Sequence, residues 1–141
     1  MRLIIVDLTN GLLFDEDTKV ARAGAGDVLR ALSRQYRLVA FLDTSRTGLE
    51  LRGRLEEAGL GGFFEMVSTS ADLGGGLSPS VVDSLTAGFG IPAGHVAVIS
   101  NQGDVVDTLQ MAGVVALLAE PDRPLSDLPE ALAWLTAVSS G

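Results

Sequence analysis

The sequence has no cysteine, so disulfides, thiolate metal sites and thiol nucleophiles are excluded. It has one histidine, His95, and one lysine, Lys19, in 141 residues, which leaves no nitrogen and sulfur ligand set of the zinc type. Positive charge is scarce as well: 10 Lys and Arg stand against 18 Asp and Glu, a net charge of -8. Binding a phosphate backbone needs clustered cations, so no nucleic acid is expected as a partner. The arginines at 30, 34 and 37 fall on or beside one predicted helix and read as a solvated face. Hydrophobic residues make up 47% and mean hydropathy is +0.35, yet no unbroken apolar run approaches the roughly 20 residues of a membrane span. No membrane association is expected. No basic stretch followed by an apolar segment leads the chain, which predicts a cytoplasmic location. Without repeats, low-complexity tracts or linkers, residues 1–141 read as one domain large enough to bury a core.

What is present begins with MRLIIVDLTNGLL. The apolar run Leu3 to Val6 ends in Asp7 and is followed by the turn formers Thr9, Asn10 and Gly11. This predicts a buried strand delivering a carboxylate to its C-terminal edge, the edge where open α/β sheets bind ligands. Asp7 is either a group for chemistry or a side chain that holds the turn. The stretch from Phe14 to Gly26 has no period and reads as a surface flap. Asp27 then caps a helix with Val28, Leu29, Leu32 and Tyr36 on one face, and Leu38 to Leu42 forms the second strand. Asp43, Thr44, Ser45 and Arg46 close that strand. They suit an anion site at the next helix N-terminus, or Ser45 or Thr47 simply caps that helix.

A third strand is expected over Phe63 to Ser68, followed by a loop through Gly74, Gly75 and Gly76. Ser78 and Pro79 start a helix that runs to about Phe89. His95 precedes the fourth strand, Val96 to Ile99, at the edge away from Asp7. Ser100 to Asp104 lead into a helix over Val105 to Ala112, the fifth strand is Val114 to Leu118, and the last helix packs Leu132 and Trp134 on the sheet. Strands alternating with helices predict an α/β domain of Rossmann-like, three-layer architecture with a five-stranded parallel sheet. With the first strand central, Asp7, the Asp43 to Arg46 group and the Ser100 to Asp104 loop meet at one edge.

The chain resembles the haloacid dehalogenase-like superfamily over nearly its whole length. LRGRLEEAGLGGFFEMVSTSADLGGG, Leu51 to Gly76, is similar to that family's helix, Gly-Leu turn, aromatic, strand and loop in order and spacing. Family members are commonly magnesium-dependent phosphatases whose first strand ends in Asp-x-Asp-x-Thr. The resemblance assigns Asp7 as nucleophile and metal ligand. It puts Thr9 where the general acid stands and Gly11 where the threonine stands. A hydroxyl is a poor proton donor at neutral pH, although P-type ATPases with Thr at this place still form a phospho-aspartate. Thr44, with Ser45 beside it, matches the phosphate-binding hydroxyl.

The motif lysine is replaced by Gly76, which leaves Arg46 to supply a cation from another direction. Ser100 and Asn101 stand where the magnesium acids belong, with Asp104 or Asp43 as substitutes. The spacing between motifs leaves no room for the large cap domain of many relatives. Capless relatives act on large substrates or close their sites by oligomerising. The resemblance therefore implies either a degenerate protein kept as a binding or regulatory module for a protein partner or its own copy, or a capless phosphohydrolase. The latter would use Mg2+ held by Asp7 with Asp104 or Asp43, and would act on a phosphorylated substrate through an aspartyl-phosphate on Asp7.

Overall fold

A computed structural model of the chain describes residues 2–120 and 124–140. Its centre is strand β1, Leu3–Asp7, buried at every position. Parallel neighbours flank it on both sides: β4, Arg37–Leu42, and β6, Val96–Ser100. Outside these lie β5, Met66–Thr69, and β7, Val115–Leu118, so the order across the sheet is β5-β4-β1-β6-β7. Ile5 stands level with Val39 and with Val98, which brings the C-terminal ends of the three middle strands to one edge.

The strands are apolar on both faces because helices cover both. Side chains alternate, so Ile4, Val6, Ala40 and Ile99 face one core while Leu3, Ile5, Phe41 and Val98 face the other. Helices α1 (Ala25–Ser33), α2 (Gly48–Glu57) and α6 (Leu128–Ser140) close the first core with Leu29, Leu55 and Leu132. Helices α4 (Pro79–Ala87) and α5 (Gly103–Met111) close the second with Val82 and Leu109. This is the three-layer α/β sandwich that the alternation of elements predicts. Among the described residues no helix is long and apolar enough to cross a membrane.

Local chemistry explains the clearest helix starts. Thr47 forms a capping box with Glu50 at the head of α2, and the Ser78 hydroxyl accepts from the Val81 amide ahead of Pro79 at the head of α4. Several expected details differ. Asp27 does not cap α1; the helix begins at Ala25, behind Gly24 at φ +85°, and Asp27 lies in its first turn, 3.5 Å from Arg30. Tyr36 lies past the end of that helix. Phe63 and Phe64 precede β5 in a turn, where Phe64 seals the first core. A short helix α3, Ser70–Leu73, capped by Thr69, precedes the glycine run.

Trp134 is 68% exposed and belongs to neither core. The cause is angular: Leu128 and Leu132, four residues apart, set the inward stripe of α6, and Trp134 falls on the far side. The flap is a small antiparallel hairpin, β2 (Phe14–Asp15) paired with β3 (Val20–Ala21), with Phe14 buried beneath it.

Candidate functional site

Asp7, at the end of the central strand, is completely buried, and both of its carboxylate oxygens are occupied. Thr9 donates twice to Oδ1, from its amide at 3.1 Å and its hydroxyl at 2.6 Å. The Ser100 hydroxyl at 2.8 Å and the Gln102 side-chain Nε2 at 2.9 Å donate to Oδ2. Each hydroxyl is polarised in turn by a backbone N–H: Asp43 donates to Thr9 Oγ1 at 3.1 Å and Gln102 to Ser100 Oγ at 3.1 Å. One carboxylate thus ties together the ends of β4, β1 and β6.

Every partner is neutral and every one is a donor. Thr9 is spent on holding Asp7, so it has no proton aimed at a leaving group. Gln102 matches no motif in the sequence. The only local signal is the amide pair Asn101-Gln102 after the fourth strand, where the family pattern has acids.

The second strand end is equally committed to internal contacts. The Thr44 amide donates to the Ser70 hydroxyl at 2.9 Å, which donates back to the Thr44 carbonyl at 3.0 Å, and Thr44 Oγ1 accepts from the Arg46 amide at 3.3 Å. Ser45 is exposed. The Arg46 guanidinium turns to the flap, with Nη1 2.8 Å from Glu16 and Nη2 3.1 Å from Asp17. The hydrogen bond to Glu16 leads in raising its pKa above the ordinary value, so the guanidinium stays charged. Arg54 donates to the Glu16 carbonyl at 2.9 Å, and Lys19 meets Glu57 at 2.8 Å, holding that carboxyl below its usual range. The flap is therefore clasped to α2 and to the loop ahead of it by three basic side chains.

A helix N-terminus is a ready anion site. At the head of α2 a carboxylate of the chain itself fills that place, with the Gly48 amide donating to Asp72 Oδ2 at 2.7 Å. Asp72 lies in α3, and nothing in the local pattern around residue 48 predicts it.

Beneath the flap lies a cavity of ≈ 360 Å³. Thr9, Asn10 and Asp43 line one side and Asp15, Glu16 and Asp17 the other, with no lysine or arginine among the lining residues. Gly76, at the place of the family lysine, does sit beside this site, since a Cβ there would lie 3.6 Å from Asp43 Oδ2. Asn101, at the place of the metal acid, donates from Nδ2 to the Asn10 carbonyl at 3.4 Å, and its buried Oδ1 has no partner. Asp104 is exposed in the first turn of α5.

Magnesium prefers several hard oxygen ligands carrying carboxylate charge. Among the described residues no group of three acidic or histidine side chains could hold a metal ion, so Asp7, Asp43 and Asp104 do not gather as one. The Ser100 hydroxyl and the Gln102 amide donate to Asp7 Oδ2, and the unpartnered Asn101 Oδ1 is neutral and adds no carboxylate charge. The residues present do not fit Mg2+.

No protein-family model and no curated protein sequence matches the chain. Solved structures do. A haloacid dehalogenase-like family hydrolase from Xanthomonas campestris superposes with a TM-score of 0.69 at 18% identity, over 85% of this chain and 57% of the other. YfnB from Bacillus subtilis, solved bound to magnesium, gives 0.65 at 21% identity, over 83% of this chain and 58% of that one. This chain thus spans a little under three fifths of the length of these two proteins. A protein from Corynebacterium glutamicum matches end to end, with a TM-score of 0.71 at 17% identity, over 97% of this chain and 96% of its own. The parallel sheet with β1 at its centre, Asp7 at the end of that strand and these superpositions give one conclusion: the chain has the haloacid dehalogenase-like fold.

Proposed function

We propose that this chain is a haloacid dehalogenase-type domain that no longer transfers phosphoryl groups and serves as a binding or regulatory module. Its partner is another protein or a second copy of itself, its location cytoplasmic, and it works as a single domain without a cap. The observation that carries this reading is the Asp7 carboxylate, buried and engaged by four neutral donor groups. A nucleophile needs a free lone pair facing the phosphorus, and each Asp7 oxygen has its directions taken.

Three further features agree. Gly76 supplies no cation, Asp72 occupies the helix N-terminus that would receive phosphate, and the cavity beside the site is lined by four carboxylates. A phosphate dianion entering it meets repulsion, and each missing transition-state contact costs several kcal/mol. Trp134 and Met111, 68% and 90% exposed, offer apolar area to a partner.

A second reading, a capless Mg2+-dependent phosphohydrolase of phosphate monoesters acting through Asp7, draws on one observation: the unpartnered Asn101 Oδ1 beside Asp7's loop. It requires Gln102 and Ser100 to leave Asp7 and a metal to replace them. Hydrolysis of p-nitrophenyl phosphate with millimolar Mg2+ separates the two readings. The expected release by the wild type equals that of Asp7→Asn. Magnesium-dependent turnover that vanishes in Asp7→Asn refutes the proposal.

A further inference from the structure

The opposite edge of the sheet carries a second cavity, also of ≈ 360 Å³, lined by Arg2, Ser33, Arg34, Gln35, Tyr36 and Arg37. Three of its six lining residues are arginines and none is acidic, in a chain with a net charge of -8. The backbone sets this arrangement. Arg2 and Arg37 enter the neighbouring strands β1 and β4 side by side, joined by the Arg37 amide donating to the Arg2 carbonyl at 3.0 Å. Arg34 lies in the turn after α1, where the Gln35 and Tyr36 amides both donate to the Leu32 carbonyl at 3.1 and 2.9 Å.

Arg37 is held in place, with Nε 2.6 Å from Glu65 and its guanidinium carbon 4.8 Å from the centre of the Phe89 ring. Arg2 and Arg34 form no ion pair among the described residues. The C-terminal dipole of α1 accounts for a cation at Arg34, but not for Arg2 or Arg37. Glu65 already offsets the Arg37 charge, so Arg2 and Arg34 are the two cations of this concavity without a carboxylate partner, and an anion held between them offsets both. Guanidinium forks match phosphate oxygens two at a time.

We propose that this cavity is an anion site for a compact diphosphate, whether inorganic or the diphosphate group of a small metabolite. One phosphate group engages Arg34 and the other Arg2, with Arg37 beside them held by Glu65. The site lies at the amino-terminal edge of the sheet, away from Asp7, and does not depend on the reading given for Asp7.

Titration calorimetry of the full chain with inorganic pyrophosphate, at low ionic strength and without divalent metal, tests it. Arg34→Ser and Arg2→Ser are each expected to weaken binding tenfold or more. Arg30→Ser, in α1 and outside the cavity, is expected to leave binding within twofold. Raised salt is expected to weaken it steeply. ADP that binds without needing the arginines, beside pyrophosphate that does not bind, places the affinity in the organic part and overturns the proposal; equal dependence on the arginines for both ligands places it in the diphosphate as proposed. No heat at millimolar pyrophosphate, or equal affinity in Arg34→Ser, Arg2→Ser and wild type, overturns the site.

Discussion

Asp7→Ala is expected to lower the stability of the folded chain by about 3 kcal/mol, read as a drop in the denaturant midpoint at unchanged slope. The substitution removes the acceptor for Thr9 N–H, Thr9 O–H, Ser100 O–H and Gln102 N–H; Asp7 and Ser100 are fully buried, and Thr9 and Gln102 half-buried. A stranded buried donor such as the Ser100 hydroxyl costs about 1–3 kcal/mol, and the half-buried Thr9 and Gln102 donors cost less each because water reaches them. The sign carries the meaning. A carboxylate kept for catalysis is commonly a stability burden, and removing it leaves stability unchanged or raised. A carboxylate kept to pin three strand ends together is missed by the fold. Asp7→Asn is expected to fall in between, because its amide nitrogen must face donors on one side.

The second large effect is expected at Gly48, the first residue of α2. A Cβ there would lie 2.6 Å from the Val67 carbonyl oxygen and 2.8 Å from Asp72 Oδ2. The first of these atoms is backbone in β5 and cannot swing aside, so Gly48→Ala must push α2 from the sheet or break the 2.7 Å bond from the Gly48 amide to Asp72. The expected cost is about 3 kcal/mol, at the upper end for overpacking. Thermal unfolding of Gly48→Ala beside Gly53→Ala checks it, since a Cβ at Gly53, also in α2, meets nothing within 4 Å. Alanine at that exposed helical position is expected to hold or raise stability by up to about 1 kcal/mol.

Both predictions turn on contacts that separate what the sequence discloses from what it does not. The buried first strand, Asp7 at its end, the Thr47 cap and the Ser78-Pro79 helix start are legible because each follows from neighbours within four residues. The five-stranded parallel sheet follows from the alternation of elements, and the unbroken apolar run Leu3 to Val6 agrees with the central place of β1. What closes the site is nonlocal. Gln102 reaches Asp7 across 95 positions of sequence, Asp72 reaches Gly48 across 24, and Arg46 reaches Glu16 across 30.

Arg46 shows the difficulty most plainly. In the sequence it stands beside two hydroxyls at a strand end and reads as an anion ligand, while the acids that claim it lie in a segment without periodicity. The flap reads as irregular because a hairpin with two residues per strand is too short to display alternation. Trp134 reads as core because Leu132 beside it is core, and only the exact phase of the helix separates them.

The central claim is that Asp7 is a structural tie and not a phosphoryl acceptor. Thermal unfolding of the wild type and Asp7→Asn, each with and without millimolar Mg2+ and fluoroberyllate, tests it most directly, because a ligand that binds only the folded state raises the midpoint whatever the natural substrate is. The account predicts the same midpoint for the wild type with and without the additives. A rise that needs both Mg2+ and fluoroberyllate, and that is lost in Asp7→Asn, contradicts it and restores Asp7 as a working nucleophile.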